Sequence, residues 1–245
     1  MKKKVTLFGI ECQVSLTRSQ KNKVTKKKVT KKYLSTADNV KLNLGPGPNW
    51  IKPSEDWLNV DIDPTRGDVV VNFKDFESLP LSDNSVQCVY GSHVFEHISI
   101  FKTPIIFAEI LRVLKEGGVF RLILPDAEKS INEYVNGNKD FLLFKRRKDR
   151  ALINYKKDYT LFECLREDFL SPNGQIDLLG KESLAHQNAW DFQTIKLDLV
   201  RAGFDVNNIQ KMSYKNSQTN SFSFEGAYES EANQDYRSLY VEAVK

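Results

Sequence analysis

The chain contains three histidines, and two of them frame a glutamate in His93-Val94-Phe95-Glu96-His97. An imidazole titrates near neutrality, so it can take a proton from a hydroxyl or an amine. The same five residues fit H-x-x-E-H, in which two histidines on one helical face hold zinc and the glutamate acts as base. Here the motif follows a strand-like run and a Gly91-Ser92 turn, which makes zinc hydrolysis the lesser reading. His186, in Ala185-His186-Gln187-Asn188-Ala189-Trp190, is the second candidate base after His93. Upstream, Gly45-Pro46-Gly47-Pro48-Asn49 follows an apolar run, so backbone amides can approach a ligand there. About fifteen residues further on, Leu58-Asn59-Val60-Asp61-Ile62 brings a carboxylate to a strand end, where it can accept both hydroxyls of a ribose. Each feature has a plain alternative: a simple turn, a turn-capping aspartate, a packed histidine.

These groups need elements to hold them. Short apolar runs, Val40 to Leu44, Trp57 to Ile62, Asp68 to Val71, Val86 to Tyr90 and Val119 to Leu124, read as buried strands of a parallel sheet. Ile105, Ile106, Ala108, Ile110, Leu111 and Leu114 recur at helical spacing from Thr103 to Lys115, and Gly117-Gly118 stops the pattern. Three prolines between Gly45 and Trp57 argue against a long crossover helix. After Pro125 comes a mostly helical insertion bearing Lys145-Arg146-Arg147-Lys148, then a helix from Asp191 to Ala202. Val206 to Tyr214 and Ser238 to Val244 read as two last strands separated by a polar stretch, Lys215 to Gln234. The expected organisation is a basic arm over 1–35 and one domain over 36–245, with a lid insertion at 127–190.

Net charge is +4, yet residues 1–35 hold ten lysines and Arg18 against Glu11, which is +10, leaving 4 − 10 = −6 for the remainder. Such an arm is either solvated or anion-binding. It has only Phe8 and Tyr33 for stacking and no recognisable RNA-binding motif. Cys12, Cys88 and Cys164 form no CxxC pair, which suits reduced thiols and a cytoplasmic location. No apolar stretch approaches the length of a membrane span, and Thr6, Glu11 and Gln13 break the apolar region a signal peptide would need.

Taken in order, the glycine turn, Asp61, Asp75-Phe76-Glu77-Ser78-Leu79-Pro80, Gly91 to His97 and Ile110 to Gly118 resemble the class I methyltransferases that use S-adenosyl-L-methionine, particularly the type called methyltransferase domain 11. The resemblance runs from Val40 to Asp126 and more loosely through Ala202-Gly203-Phe204 and Leu239 to Ala243. It implies an α/β, Rossmann-like, mostly parallel seven-stranded sheet with an antiparallel last strand and a helical insertion after the fifth strand. It implies that Gly45 and Gly47 lie under the methionine and ribose of the cofactor, that Asp61 binds the ribose hydroxyls, and that Ile62 packs on the adenine. Asp75 would accept from the adenine amine, Phe76 would offer its backbone amide, and Ser92 and His93 would sit near the methyl group. Two residues depart from the family pattern: Asn43 replaces the usual acidic residue, and Asn49 the third glycine. Asn43 keeps hydrogen-bonding ability without the charge that attracts an ammonium. The expected acceptor is a small molecule or a sugar. The alternatives are a nucleic-acid methyltransferase that uses the arm and a non-catalytic nucleoside-binding module; the Asn/Asp-Pro-Pro-Tyr/Phe motif of amino-methylating nucleic-acid enzymes is absent.

Overall fold

The computed structural model describes residues 2–7, 10–15, 39–170 and 185–245. At the start of the arm, β1 (Lys2–Leu7) and β2 (Ile10–Ser15) pair as an antiparallel hairpin. The rest of the Lys-rich arm lies outside the described residues, as do residues 171–184 of the insertion.

Seven strands make the main sheet: β3 (Val40–Leu44), β4 (Trp57–Asp61), β5 (Val69–Val70), β6 (Val86–Ser92), β7 (Leu114–Pro125), β8 (Ile209–Met212) and β9 (Ser238–Val244). Their spatial order is β5-β4-β3-β6-β7-β9-β8. The first five pair in parallel, and β9 runs antiparallel to both β7 and β8. This is the sheet the resemblance implied. Between β3 and β4 the chain crosses over in turns, with no helix, as the prolines required.

Away from the register shift after Val86, the strands alternate between two cores. Leu42, Val60, Val89, Phe120, Leu122 and Val241 enter one core; Trp57, Cys88, Tyr90, Val119, Ile123 and Tyr240 enter another. Because both faces are covered, the runs look continuously apolar rather than amphipathic. Helices α1 (Thr103–Val113) and α5 (Phe192–Arg201) pack on the first face through Ile106, Phe107, Ile110, Ile195 and Leu199. Helix α1 ends two residues before the expected Lys115. Leu114 already pairs with Val86, and Lys115 to Gly118 bulge outward before pairing resumes at Cys88 and Val119. The last strand but one is also shorter than expected, because Val206–Asn208 form a 3-10 turn capped by Asp205.

The helical insertion emerges from the carboxyl end of β7 as α2 (Ala127–Val135), α3 (Leu142–Tyr155) and α4 (Leu161–Arg166). Phe141, Leu143, Phe144, Ala151, Cys164 and Leu165 give it a small core of its own. The basic cluster there is not one solvated face. Arg147 is buried and ion-pairs with Asp168 and, at 3.4 Å, with Glu167, while Arg146 stacks on Tyr236.

Among the described residues no α-helix contributes to the core on the second face. The stretch 215–234, read above as polar, does so with Phe222, Phe224 and Ala232, joined by Trp50 and Tyr228. Arg121, which interrupts the apolar run of β7, holds this cover down. Its guanidinium is wholly buried, with Nε 2.6 Å and Nη2 2.9 Å from the two oxygens of Glu225 and Nη1 2.8 Å from Glu242, and it also donates to the carbonyls of Ser213 and Asn216. Arg121→Ala leaves two carboxylates buried without their cation, so denaturant unfolding should show a loss of about 3–5 kcal/mol. A loss under about 1 kcal/mol, the scale of an exposed ion pair, would mean that water reaches the cluster.

Candidate active site

The parallel strands place their carboxyl ends together, where open α/β sheets bind ligands. A cavity of about 300 Å³ opens there. The glycine turn forms its floor: the amide of Gly45 donates to the carbonyl of Val60 (2.9 Å), which ties the turn to the end of β4. Gly45 and Gly47 both take positive φ, +61° and +68°, a conformation that costs other residues about 1–2 kcal/mol. Asn43, Ser92 and His93 line the same cavity, together with Trp50, Tyr90 and Tyr228 to Glu231. Five of the residues expected at the site, Asn43, Gly45, Gly47, Ser92 and His93, therefore meet in one place.

The others stand elsewhere. Asp61 closes β4 but does not line the cavity; its carboxylate accepts from the Asp63 amide at 2.8 Å and faces the Arg66 guanidinium at 3.4 Å. Ile62 is half exposed. Asp75 sits in an exposed 3-10 turn, where the Asn72 amide donates to it at 2.9 Å, and the Phe76 ring is buried in the first core. His186 joins His97, with ring centroids 4.9 Å apart. None of the cavity's lining residues lies in 127–170.

His93 is held from three sides. It has a left-handed backbone (φ +50°), and its amide donates to the carbonyl of Ile123. Nε2 lies 3.0 Å from the Ser238 hydroxyl. Nδ1 faces two carboxylates, Glu96 at 3.3 Å and Glu231 at 3.5 Å, neither aligned as a hydrogen bond. Glu96 is buried, which by itself pushes its carboxyl up, but His93 and then His97 and His186 outweigh this and hold it down to about 2. Burial pushes His186 below its usual range despite the pull of Glu96. The H-x-x-E-H residues thus lie on an extended turn and the short 3-10 segment Phe95–His97, not on one helical face. The hydrolase reading loses the geometry it requires.

Sequence reasoning missed the wall made by Tyr228 to Glu231. The available signal was the spacing of Phe222, Phe224 and Tyr228, which places large rings where a polar connection would have none. Trp50 packs on Phe224 and Tyr228 at 5.0 and 5.5 Å. The Asn49 amide reaches the Glu229 carbonyl at 3.4 Å, joining turn and wall.

Residues 52–122 match the family model for the methyltransferase domain of type 11. Over this segment, 71 of the 245 residues, the chain is similar to a methyltransferase domain. The matched segment runs from just before β4 through most of β7 and includes Asp61, Asp75, Ser92 and His93, while the glycine turn precedes it. No curated protein matches the chain. Solved structures of similar path include a SAM-dependent methyltransferase from Methanosarcina mazei, 14% identical over 88% of this chain and 95% of that one, with a TM-score of 0.45. Another, from Archaeoglobus fulgidus, is 14% identical over 91% and 94%, with a TM-score of 0.43. A third is phosphoethanolamine N-methyltransferase 2 of Haemonchus contortus in complex with S-adenosyl-L-methionine, 13% identical over 93% of this chain and 52% of that one, with a TM-score of 0.41. Likeness at this level carries no information about the acceptor.

The two glycines of the turn should respond differently to alanine. A Cβ at Gly45 would stand 2.4 Å from Cγ2 of Val94, whereas one at Gly47 meets nothing within 4 Å. Gly47→Ala should cost only its backbone strain, about 1–2 kcal/mol, and Gly45→Ala about 1–3 kcal/mol more for the collision. Equal losses in urea unfolding would show that Val94 yields freely.

Proposed function

We propose that this methyltransferase transfers a methyl group from S-adenosylmethionine to a small-molecule or sugar acceptor, with the cofactor held over the turn Asn43 to Pro48 and His93 as the proton acceptor. The observation that carries the reading is the cavity at the carboxyl ends of β3 and β6, lined by Asn43, both glycines, Ser92 and His93. Its residues fit such a ligand. About 300 Å³ is the lower end for a small-molecule site. The buried Trp50 Nε1 and His93 Nδ1 have no hydrogen-bond partner among the described residues, and open space lies over Gly47.

When bound, the cofactor supplies an electrophilic methyl carbon on a sulfonium, which is also the leaving group. The chain supplies position and a proton sink. Asn43 and the Gly47 amide would orient the amino-acid end, and Asp61 would accept from the ribose hydroxyls once Arg66 gives way to them. With an acceptor in place, Nε2 of His93 would take the acceptor's proton, displacing the Ser238 hydroxyl that lies 3.0 Å from it. Glu96 and Glu231 at Nδ1 stabilise the resulting imidazolium.

The test is incubation with methyl-labelled cofactor and a fractionated metabolite extract, followed by identification of the labelled product. His93→Ala should lower turnover by about a hundredfold, within the range for a lost general base, with little change in affinity for S-adenosylhomocysteine. Asp61→Ala should instead weaken that affinity by about 1.5–3 kcal/mol, the scale of hydrogen bonds to a charged group. Full turnover in the first variant would remove His93 from the chemistry, and unchanged calorimetric affinity in the second would remove Asp61 from the cofactor site.

A further inference from the structure

The other two histidines converge on Glu96, whose Oε1 also faces His93. The His97 Nε2 lies 3.9 Å from Glu96 Oε1, and one potential ligand atom each from Glu96, His97 and His186 lie within 4.8 Å of one another. His186 is ninety residues away in sequence but is fixed here by the backbone. The amides of Gln187 and Asn188 both donate to the carbonyl of Glu96, at 2.7 and 3.2 Å.

Three observations point to an occupant. Each histidine commits Nδ1 to a main-chain carbonyl, His97 to Ala185 at 3.3 Å and His186 to Asp168 at 2.9 Å. A carbonyl only accepts, so Nδ1 carries the proton in both rings and Nε2 offers its lone pair, the arrangement that orients histidines toward a metal. The carboxylate between them is 1% exposed, and its Oε2 has no hydrogen-bond partner among the described residues; a buried oxygen of this kind is costly without a cation or a donor. Finally, His97 also lines a second cavity of about 580 Å³, with Phe73, Ile98, Phe101, Ala185 and Gln187, which gives an entry path and room for a water.

We propose that Glu96, His97 and His186 form a binding site for a divalent transition-metal ion such as zinc. Two imidazoles and one carboxylate with an open fourth position are a recurrent zinc donor set. A tetrahedral ion at about 2.1 Å from each ligand needs ligand atoms about 3.4 Å apart, a closure that side-chain rotation supplies from the present spacing. This set differs from the H-x-x-E-H pattern: His93 is not a ligand, Glu96 is a ligand rather than a base, and the third ligand comes from the end of the insertion. The site does not depend on which acceptor is methylated.

The full chain, stripped with a chelator and dialysed, is titrated with Co²⁺ followed by absorption and with Zn²⁺ followed by calorimetry. The site predicts one equivalent of cobalt with visible d–d bands, displacement by zinc, and a thermal midpoint that rises with zinc. His97→Gln, His186→Gln and Glu96→Gln should each weaken binding by at least about tenfold, while His93→Gln, which leaves all three ligands in place, retains it. Absence of bands, or bands that survive in the His97→Gln/His186→Gln double variant, would overturn the proposal. Should a variant unfold, the parent protein still decides: zinc must shift the imidazole NMR signals of His97 and His186 more than those of His93, and equal or absent shifts refute the site.

Discussion

The architecture around the cavity hangs on one buried guanidinium. Arg121 stands in the middle of the sheet with no exposed surface, and its partners Glu225 and Glu242 come from a loop and from the antiparallel strand. Burying three charges is expensive, and their mutual attraction only roughly returns the desolvation cost. What the cluster does secure is register: the segment after β8 must be placed so that Glu225 grips Nε and Nη2 while the carbonyls of Ser213 and Asn216 take one proton each. With Glu225 fixed, Phe222 and Phe224 fall onto the second face of the sheet, and the four residues Tyr228 to Glu231 reach the glycine turn. Glu231 arrives beside His93 by the same route. A charge cluster remote from the turn thus sets the wall of the site.

Much of the sheet was legible in the sequence, because β-branched runs punctuated by Gly, Pro, Asp and Asn leave few alternatives to buried strands. Val40 to Leu44 and Ser238 to Val244 match their strands end to end. The antiparallel last strand came through the family resemblance rather than through periodicity. The cover on the second face was hidden for a physical reason. Residues 215–234 have no helical or strand period, since they pack as turns and 3-10 segments whose few aromatic rings do the burying. Arg121 and Glu242 looked like interruptions of apolar strands because their compensation is tertiary: neither residue has its partner within reach along its own strand.

The site was legible in part. The glycine turn, Ser92 and His93 are local features, each placed by the strand that precedes it, and they meet. Asp61 and Asp75 were read as acceptors for the cofactor, with capping as the plain alternative, and short-range donors from Arg66 and Asn72 do face them; such satisfaction of a carboxylate by a neighbour a few residues away is common and leaves little trace in composition. The division of the histidines was not legible at all. One turn of chain sends His93 toward Ser238 and His97 toward His186, with Glu96 between them, and nothing in the spacing of the motif says that its two rings face different cavities.

The helix-free crossover between β3 and β4 bears on which nucleotides this fold rejects. In dinucleotide-binding sheets the glycine turn opens a helix, whose unpaired amides and dipole receive a pyrophosphate. Here Gly47 stands between Pro46 and Pro48, and the chain reaches Trp57 through turns alone, so no helix N-terminus faces the turn and two amides are missing from it. A phosphate brought to this floor would find few donors and no favourable dipole, while the buried Glu96 and nearby Glu231 would oppose its charge. The same backbone that leaves room over Gly47 therefore discriminates against NAD-like and other phosphorylated nucleosides. That selectivity is achieved by withholding an anion site rather than by adding a contact.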